Sequence, residues 1–319
     1  MVGPHPSDDS LRRLLRGRED DRIRATWRVA VPLTLFVVVT YGSALFLVIP
    51  LLRRLDAPPV TNIDLAILGP LGLAASLAAL AVASRLDRRP LSGFGFAFSR
   101  RWWTELVAGV IGGVLVSGVQ AGYGVVLGGS EVTETFTSGS ADAVVAATFL
   151  FLVGMTAVVV HEEIVFRAIL VPNIAEGAAA RGASASSAAV VALLGSSLLF
   201  VPMHWVGGVS IGESFAVETL GYFLMGALFA LPYVLTGEVA LSVGLHLAYN
   251  LANAFLFGVV GVSEVVPTAV MIDHPPAAVL ELTLVRVAAG VVVVAGLVAF
   301  TRDELSLDRG LARPPARAR

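Results

Sequence analysis

Eight stretches of roughly 20 apolar residues each, at 29–52, 63–84, 106–127, 143–170, 187–204, 215–235, 239–260 and 278–300, run through this chain. Hydrocarbon offers the backbone no hydrogen-bond partner, so a segment that crosses a bilayer must satisfy its own amides, and an α-helix does so. The pattern predicts an all-α, polytopic integral membrane protein with about eight transmembrane helices. Charged residues make up only 14% of the chain, against about 25% in a soluble domain. A water-soluble globule is excluded. The first apolar run is too long and too late to read as a cleaved secretory signal.

The arginines orient the helices, because short loops rich in positive charge stay in the cytoplasm. All 22 basic residues are arginine. With the N-terminus inside, they fall before the first helix (Arg12 to Arg28), between the second and third (Arg85, Arg88, Arg89, Arg100, Arg101), at Arg181, and in the tail from Arg302 onward. Arg53 and Arg54 alone fall outside, whereas the outer loops carry Glu131, Glu134, Asp142, Glu213, Glu264 and Asp273. Both termini are therefore expected to be cytoplasmic, and the expected location is the cell membrane of a prokaryote. The expected organisation is an arginine-rich segment at 1–28, three N-terminal helices over 29–142, a catalytic core of four helices over 143–260, an outer loop and last helix over 261–300, and a tail at 301–319.

Local features refine this plan. The segment from Leu11 to Arg24 reads as an anchor on the anionic inner surface, and Trp27, Trp102 and Trp103 suit the interfacial aromatic belt. Gly109/Gly113 and Gly118/Gly122, at four-residue spacing, predict close internal helix packing. The alanine/serine stretch from Ala178 to Ala189 and the Arg-Pro-Ala tail read as loop or disorder.

A net charge of −2 excludes a nucleic-acid-binding surface; membrane lipid is the expected surroundings. With no cysteine in the chain, disulfides, thiolate ligands and a cysteine nucleophile are excluded too. Chemistry must come from carboxylates, histidines, hydroxyls or amides.

An ionisable group inside a span costs roughly 2.5 to 3.5 kcal/mol on insertion scales, so a cluster of them marks a functional site. The fourth span carries His161, Glu162, Glu163 and Arg167. Glu163 and Arg167, four apart, share a helix face, so Arg167 is expected to neutralise Glu163 and leave Glu162 free to accept a proton. The fifth span ends with Phe200 and His204, and the seventh holds His246 and Asn250 on one face. A carboxylate and two histidines in a dry cavity can activate water directly or through a divalent metal. A side-chain amide such as Asn250 can donate to a developing oxyanion.

Glu-Glu-x-x-x-Arg, then Phe-x-x-x-His, then His-x-x-x-Asn two helices later resemble the three signatures of the CAAX protease and bacteriocin-processing family of intramembrane peptidases. The resemblance covers residues 143–260. It implies an eight-helix fold with a cavity among the fourth to seventh helices, and proteolysis of a membrane-anchored, prenylated peptide or protein. It also implies that Glu162 and His204 activate water, that His246 and Asn250 stabilise the oxyanion, and that Glu163 and Arg167 support them. If a metal such as zinc is present, Glu162, His204 and His246 are the implied ligands; a glutamate-driven mechanism needs none. Ala168 stands where glycine is frequent in the family.

Blander readings compete at each position. The Glu162/Glu163/Arg167 group can lock helices as a buried ion pair, and His246 and Asn250 can form an interhelical hydrogen bond. His161 reads as a structural neighbour rather than a ligand, and Val165 four residues later rules out a zincin-type helix. Gly208 to Gly212 fits a nucleophile-elbow pattern but lies in a loop, where that motif does not work. Arg286 and Glu281 read as a structural pair or as snorkelling groups outside the site. Two rival functions are a transporter with a Glu/His proton relay, which calls for internal repeats that are not detectable here, and a catalytically silent scaffold.

Overall fold

The computed structural model describes residues 15–17, 22–54, 62–138, 144–205, 215–259, 266–302 and 304–313. Its long helices are α1 (Ala25–Arg54), α2 (Asn62–Asp87), α3 (Arg100–Val126), α4 (Val144–Ala179), α5 (Ala185–Trp205), α6 (Phe215–Thr236), α7 (Ala240–Phe255) and α8 (Val279–Arg302). Among the described residues, seven are long and apolar enough to cross a membrane. The eighth, α7, has 16 residues, a length of about 24 Å at 1.5 Å per residue, which is short of the hydrocarbon thickness. The chain is an all-α polytopic membrane protein.

Small residues set the depth of α7. A Cβ on Gly109 of α3 would meet the Leu241 oxygen at 2.5 Å, one on Gly113 would collide with the Leu245 oxygen, and one on Gly244 would collide with Leu106. Backbone therefore lies on backbone where α3 crosses α7. Gly118 and Gly122 make no such approach: the nearest atom to a Cβ on Gly118 is in Phe257 at 3.8 Å, and Gly122 faces open space. A second close crossing, Gly69 of α2 on Gly154 of α4, holds α4 against the N-terminal helices.

The two ends of the bundle differ. At one end the loops form a three-stranded sheet ordered β1-β3-β2, with β1 (Glu131–Thr137) antiparallel to β3 (Thr268–Asp273) and β2 (Phe257–Val259) parallel to it. The sheet joins the loops after α3 and α7, which the alternation of spans puts on one side. The opposite end carries the arginines. There Arg22 and Arg28 reach Glu176 at 2.8 and 2.9 Å, Arg89 also pairs with Glu176, Arg28 lies 3.3 Å from Asp87, and Asn173 donates to Asp87 at 2.8 Å.

Several expectations are corrected here. Arg22, from the segment expected to lie on the inner surface, is buried in this ion network together with Arg28 and Arg89, because α4 extends as far as Glu176 and offers it as a shared counter-charge. The stretch Ala178 to Ala189 is mostly helix, with a turn only between α4 and α5, since alanine is the best helix former. Residues 304–313 dock onto the bundle: the Asp308 amide donates to the Val234 oxygen at 2.9 Å, and Leu311 is buried in the main core. Trp102 is buried and donates to the Gly95 oxygen at 2.9 Å, whereas Trp103 is exposed. The Gly208 to Gly212 segment and Arg12, Arg13 and Arg18 lie outside the described residues.

Candidate active site

The α4 helix changes its winding where its charges stand. Residues Glu163–Ile169 form a π-helical segment, the kind of local irregularity that recurs at functional sites. It widens the turn and carries Glu163 and Arg167 into the protein interior, where neither side chain is exposed. Arg167 Nε lies 3.2 Å from Glu163 Oε2, and its guanidinium sits over the Phe200 ring at 4.9 Å. The expected neutralising pair therefore forms, with a cation–π contact in place of water for the rest of the charge.

Glu162, one residue before this segment, faces the other histidines. Its Oε2 is 3.7 Å from His246 Nε2 of α7 and its Oε1 is 4.0 Å from His204 Nε2 of α5. Three helices deliver one side chain each to this point. Side-chain exposure falls from 24% at His204 through 13% at Glu162 to 5% at His246, so the group opens on the His204 side, one residue from the end of α5. That is the end away from the buried arginine network.

Both histidines are held from behind. His246 Nδ1 lies 2.8 Å from Glu163 Oε1, and the ring stacks on Phe229 at 3.9 Å between centroids and 15° between planes. His204 Nδ1 lies 3.1 Å from the Phe200 oxygen, and its ring stacks on Tyr222 at 4.4 Å. A carboxylate or carbonyl partner fixes the proton on Nδ1 and turns a lone pair at Nε2 toward Glu162. Tyr41 of α1 donates to the oxygen of Met203, next to His204, at 3.0 Å.

Asn250, one turn beyond His246, places its Nδ2 3.4 Å from Met155 Sδ. A thioether is a weak acceptor, so the amide gives up little when a stronger one arrives. His161 is buried against Phe36 of α1 at 5.4 Å, and a Cβ on Gly72 would lie 2.7 Å from its Nδ1. Its place is structural packing. Phe229 and Tyr222 were missed in the sequence; their seven-residue spacing on α6, one face over two turns, is the signal that could have found them.

Two Nε2 lone pairs and a carboxylate are the donors of a zinc site. Among the described residues, however, no three His, Asp or Glu side chains come together closely enough to hold an ion. As placed, these donors do not form a metal site.

Residues 144–252 match the model of a family described as Rce1-like, type II CAAX prenyl endopeptidase Rce1-like. Over these residues the chain is similar to that family. The Rce1-like segment runs from the start of α4 into α7 and contains Glu162, Glu163, Arg167, His204, His246 and Asn250. No curated protein and no solved structure matches the chain.

Proposed function

We propose that this chain is an intramembrane endopeptidase of the CAAX-processing type, which hydrolyses a peptide bond near the membrane anchor of its substrate with water activated at Glu162. One observation carries the reading: within the Rce1-like segment, a single carboxylate stands between the Nε2 atoms of His204 and His246, all three from different helices.

A water in that gap can donate one hydrogen to Glu162 and the other to His204 Nε2. As its oxygen adds to the scissile carbonyl, Glu162 takes the proton and the carbonyl oxygen gains the negative charge. Asn250 Nδ2 donates to that oxyanion. His246 joins it as the imidazolium, with a proton taken up from solvent at Nε2 before the water adds and Glu163 as the counter-charge, the arrangement by which a buried carboxylate orients and stabilises an imidazolium. The tetrahedral carbon then expels the amine, which leaves with the proton that Glu162 received. One water is consumed, and a carboxylate and an amine are released. Residues 143–260 would supply the chemistry, with the remaining helices as its frame and the arginine-rich end in the cytoplasm.

The substrate class is tested by incubating purified protein in detergent with a prenylated CAAX peptide and with a membrane-anchored reporter of unrelated tail. Cleavage of the prenylated peptide alone supports prenyl-CAAX processing. Cleavage of both supports a broader anchored-peptide specificity, and cleavage of neither contradicts the peptidase reading.

A further inference from the structure

His204 stands in the least secured part of the site. It is the last residue but one of α5, and the final four carbonyls of a helix have no amide partner within it. Pro202, in the same turn, has no N–H, so the helix also loses the bond that this residue would give to the Leu198 oxygen. With 24% of its side chain exposed, His204 is the most open of the three groups. Its Nε2 faces Glu162 Oε1 across 4.0 Å, a gap that depends on where the end of α5 lies. A misplacement of about 1 Å in such a geometry costs about 100-fold in rate.

One of those carbonyls finds its partner outside the helix. The Tyr41 hydroxyl of α1 donates to the Met203 oxygen at 3.0 Å, and the phenol lies within electrostatic reach of Glu162. Among the described residues α1 packs along α2 and α4 and not along α5, so this bond braces a helix end that α1 otherwise leaves alone. The brace has a firm base. Arg28 of α1 pairs with Glu176 of α4 at 2.9 Å, and the buried Phe36 ring meets the ring of His161, the neighbour of Glu162, at 5.4 Å. Contacts thus run from the helix that carries Glu162, through α1, to the turn that carries His204.

We infer that Tyr41 is a positioning residue whose hydroxyl caps the last turn of α5 and holds His204 Nε2 toward Glu162. Its effect on rate rests on the peptidase reading; the brace itself does not. Tyr41 lies outside residues 144–252, so the site draws on a helix beyond the Rce1-like segment.

The test uses full-length protein in detergent, its histidines labelled with nitrogen-15. Two readouts are followed: cleavage of an anchored peptide reporter, and the ring-nitrogen signals of His204, identified among the five histidines by their loss in His204→Gln. Wild type is compared with Tyr41→Phe, with 4-aminophenylalanine in place of Tyr41, and with Tyr233→Phe, which removes a buried hydroxyl that has no hydrogen-bond partner. Tyr41→Phe keeps the ring and its packing. It should lower kcat about 3- to 10-fold, the worth of one hydrogen bond, with KM unchanged, and move the His204 signals from a single Nδ1–H tautomer toward an exchanging mixture. The aromatic amine donates from the place of the hydroxyl and should restore both, and Tyr233→Phe should match wild type. Unmoved His204 signals in Tyr41→Phe, an equal loss in Tyr233→Phe, no rescue by the amine, or a loss in KM alone overturns the inference. Shifted signals in a protein whose wild type cleaves nothing support it while contradicting the peptidase reading; cleavage with unmoved signals does the reverse.

Discussion

His246 Nδ1 and Glu163 Oε1 lie 2.8 Å apart in the buried interior, and this contact joins the two halves of the site. Glu163 also faces Arg167 on its own helix, so one carboxylate both neutralises a buried cation and orients the histidine beside Glu162. Glu163→Gln keeps the shape and removes the charge. Outer partners of this kind are worth about 10- to 100-fold in activity, so kcat should fall by that factor with KM little changed. Steady-state kinetics in detergent check it, and an unchanged kcat would remove Glu163 from the mechanism.

Arg167 is fully buried, with Glu163 as its ion-pair partner. Breaking such a pair by removing one member costs about 3 to 5 kcal/mol, because the other charge is left stranded. Arg167→Met should lower the thermal unfolding midpoint markedly, and adding Glu163→Gln to it should recover part of the loss. Additive losses would argue against the pair.

Asn250 gives its amide to a thioether and is assigned the oxyanion. Removing one such donor costs about 100- to 1,000-fold in kcat. Asn250→Ala should show that loss with substrate affinity and unfolding midpoint close to wild type; a loss of affinity alone would mean a binding role instead.

The crossing of α3 and α7 leaves no room at Gly244, whose Cβ would collide with the Leu106 backbone, whereas Gly122 meets nothing within 4 Å. Gly244→Val should therefore displace α7, and with it His246, giving aggregated or poorly expressed protein. Gly122→Ala should be neutral or stabilising, since alanine is favoured over glycine in a helix by about 1 kcal/mol. Size-exclusion profiles distinguish the two.

At the sheet end, His274 Nδ1 is 2.7 Å from Ser130 Oγ. Burial pushes the imidazole below its ordinary value of 6.5, against a smaller upward pull from Asp273. The folded state then binds the proton less readily than the unfolded chain. The stabilisation is complete above the ordinary value and is lost as pH falls through the lowered one. The wild-type unfolding midpoint should drop more between pH 8 and pH 5 than that of His274→Gln. Equal drops would show that His274 does not contribute.

The spans were legible because the bilayer dictates their length, and the cluster of Glu162, His204 and His246 could be picked out as a candidate because these residues interrupt apolar runs in which an ionisable group is costly. What stayed hidden has physical reasons. A π-helical segment depends on packing around Glu163–Ile169, and no residue spacing encodes it. The positive-inside rule reads every arginine as a topological charge, so it could not separate Arg22, Arg28 and Arg89, paired with Asp87 and Glu176, from arginines that only set orientation. Glu281 and Arg286 suggested a pair by proximity in sequence, but they are five residues apart and project from different faces. The short strands of the loops after α3 and α7 gain their partners only when these helices bring the loops together.

The most direct test of the central claim is the rate of peptide-bond cleavage by Glu162→Gln beside wild type, both stripped of metal by chelation and checked by elemental analysis. A metal-free wild type that cleaves, with the variant slower by a factor of about 1,000 or more, as expected for loss of the general base and its charge, is the result this mechanism requires. Undiminished cleavage by Glu162→Gln would contradict it.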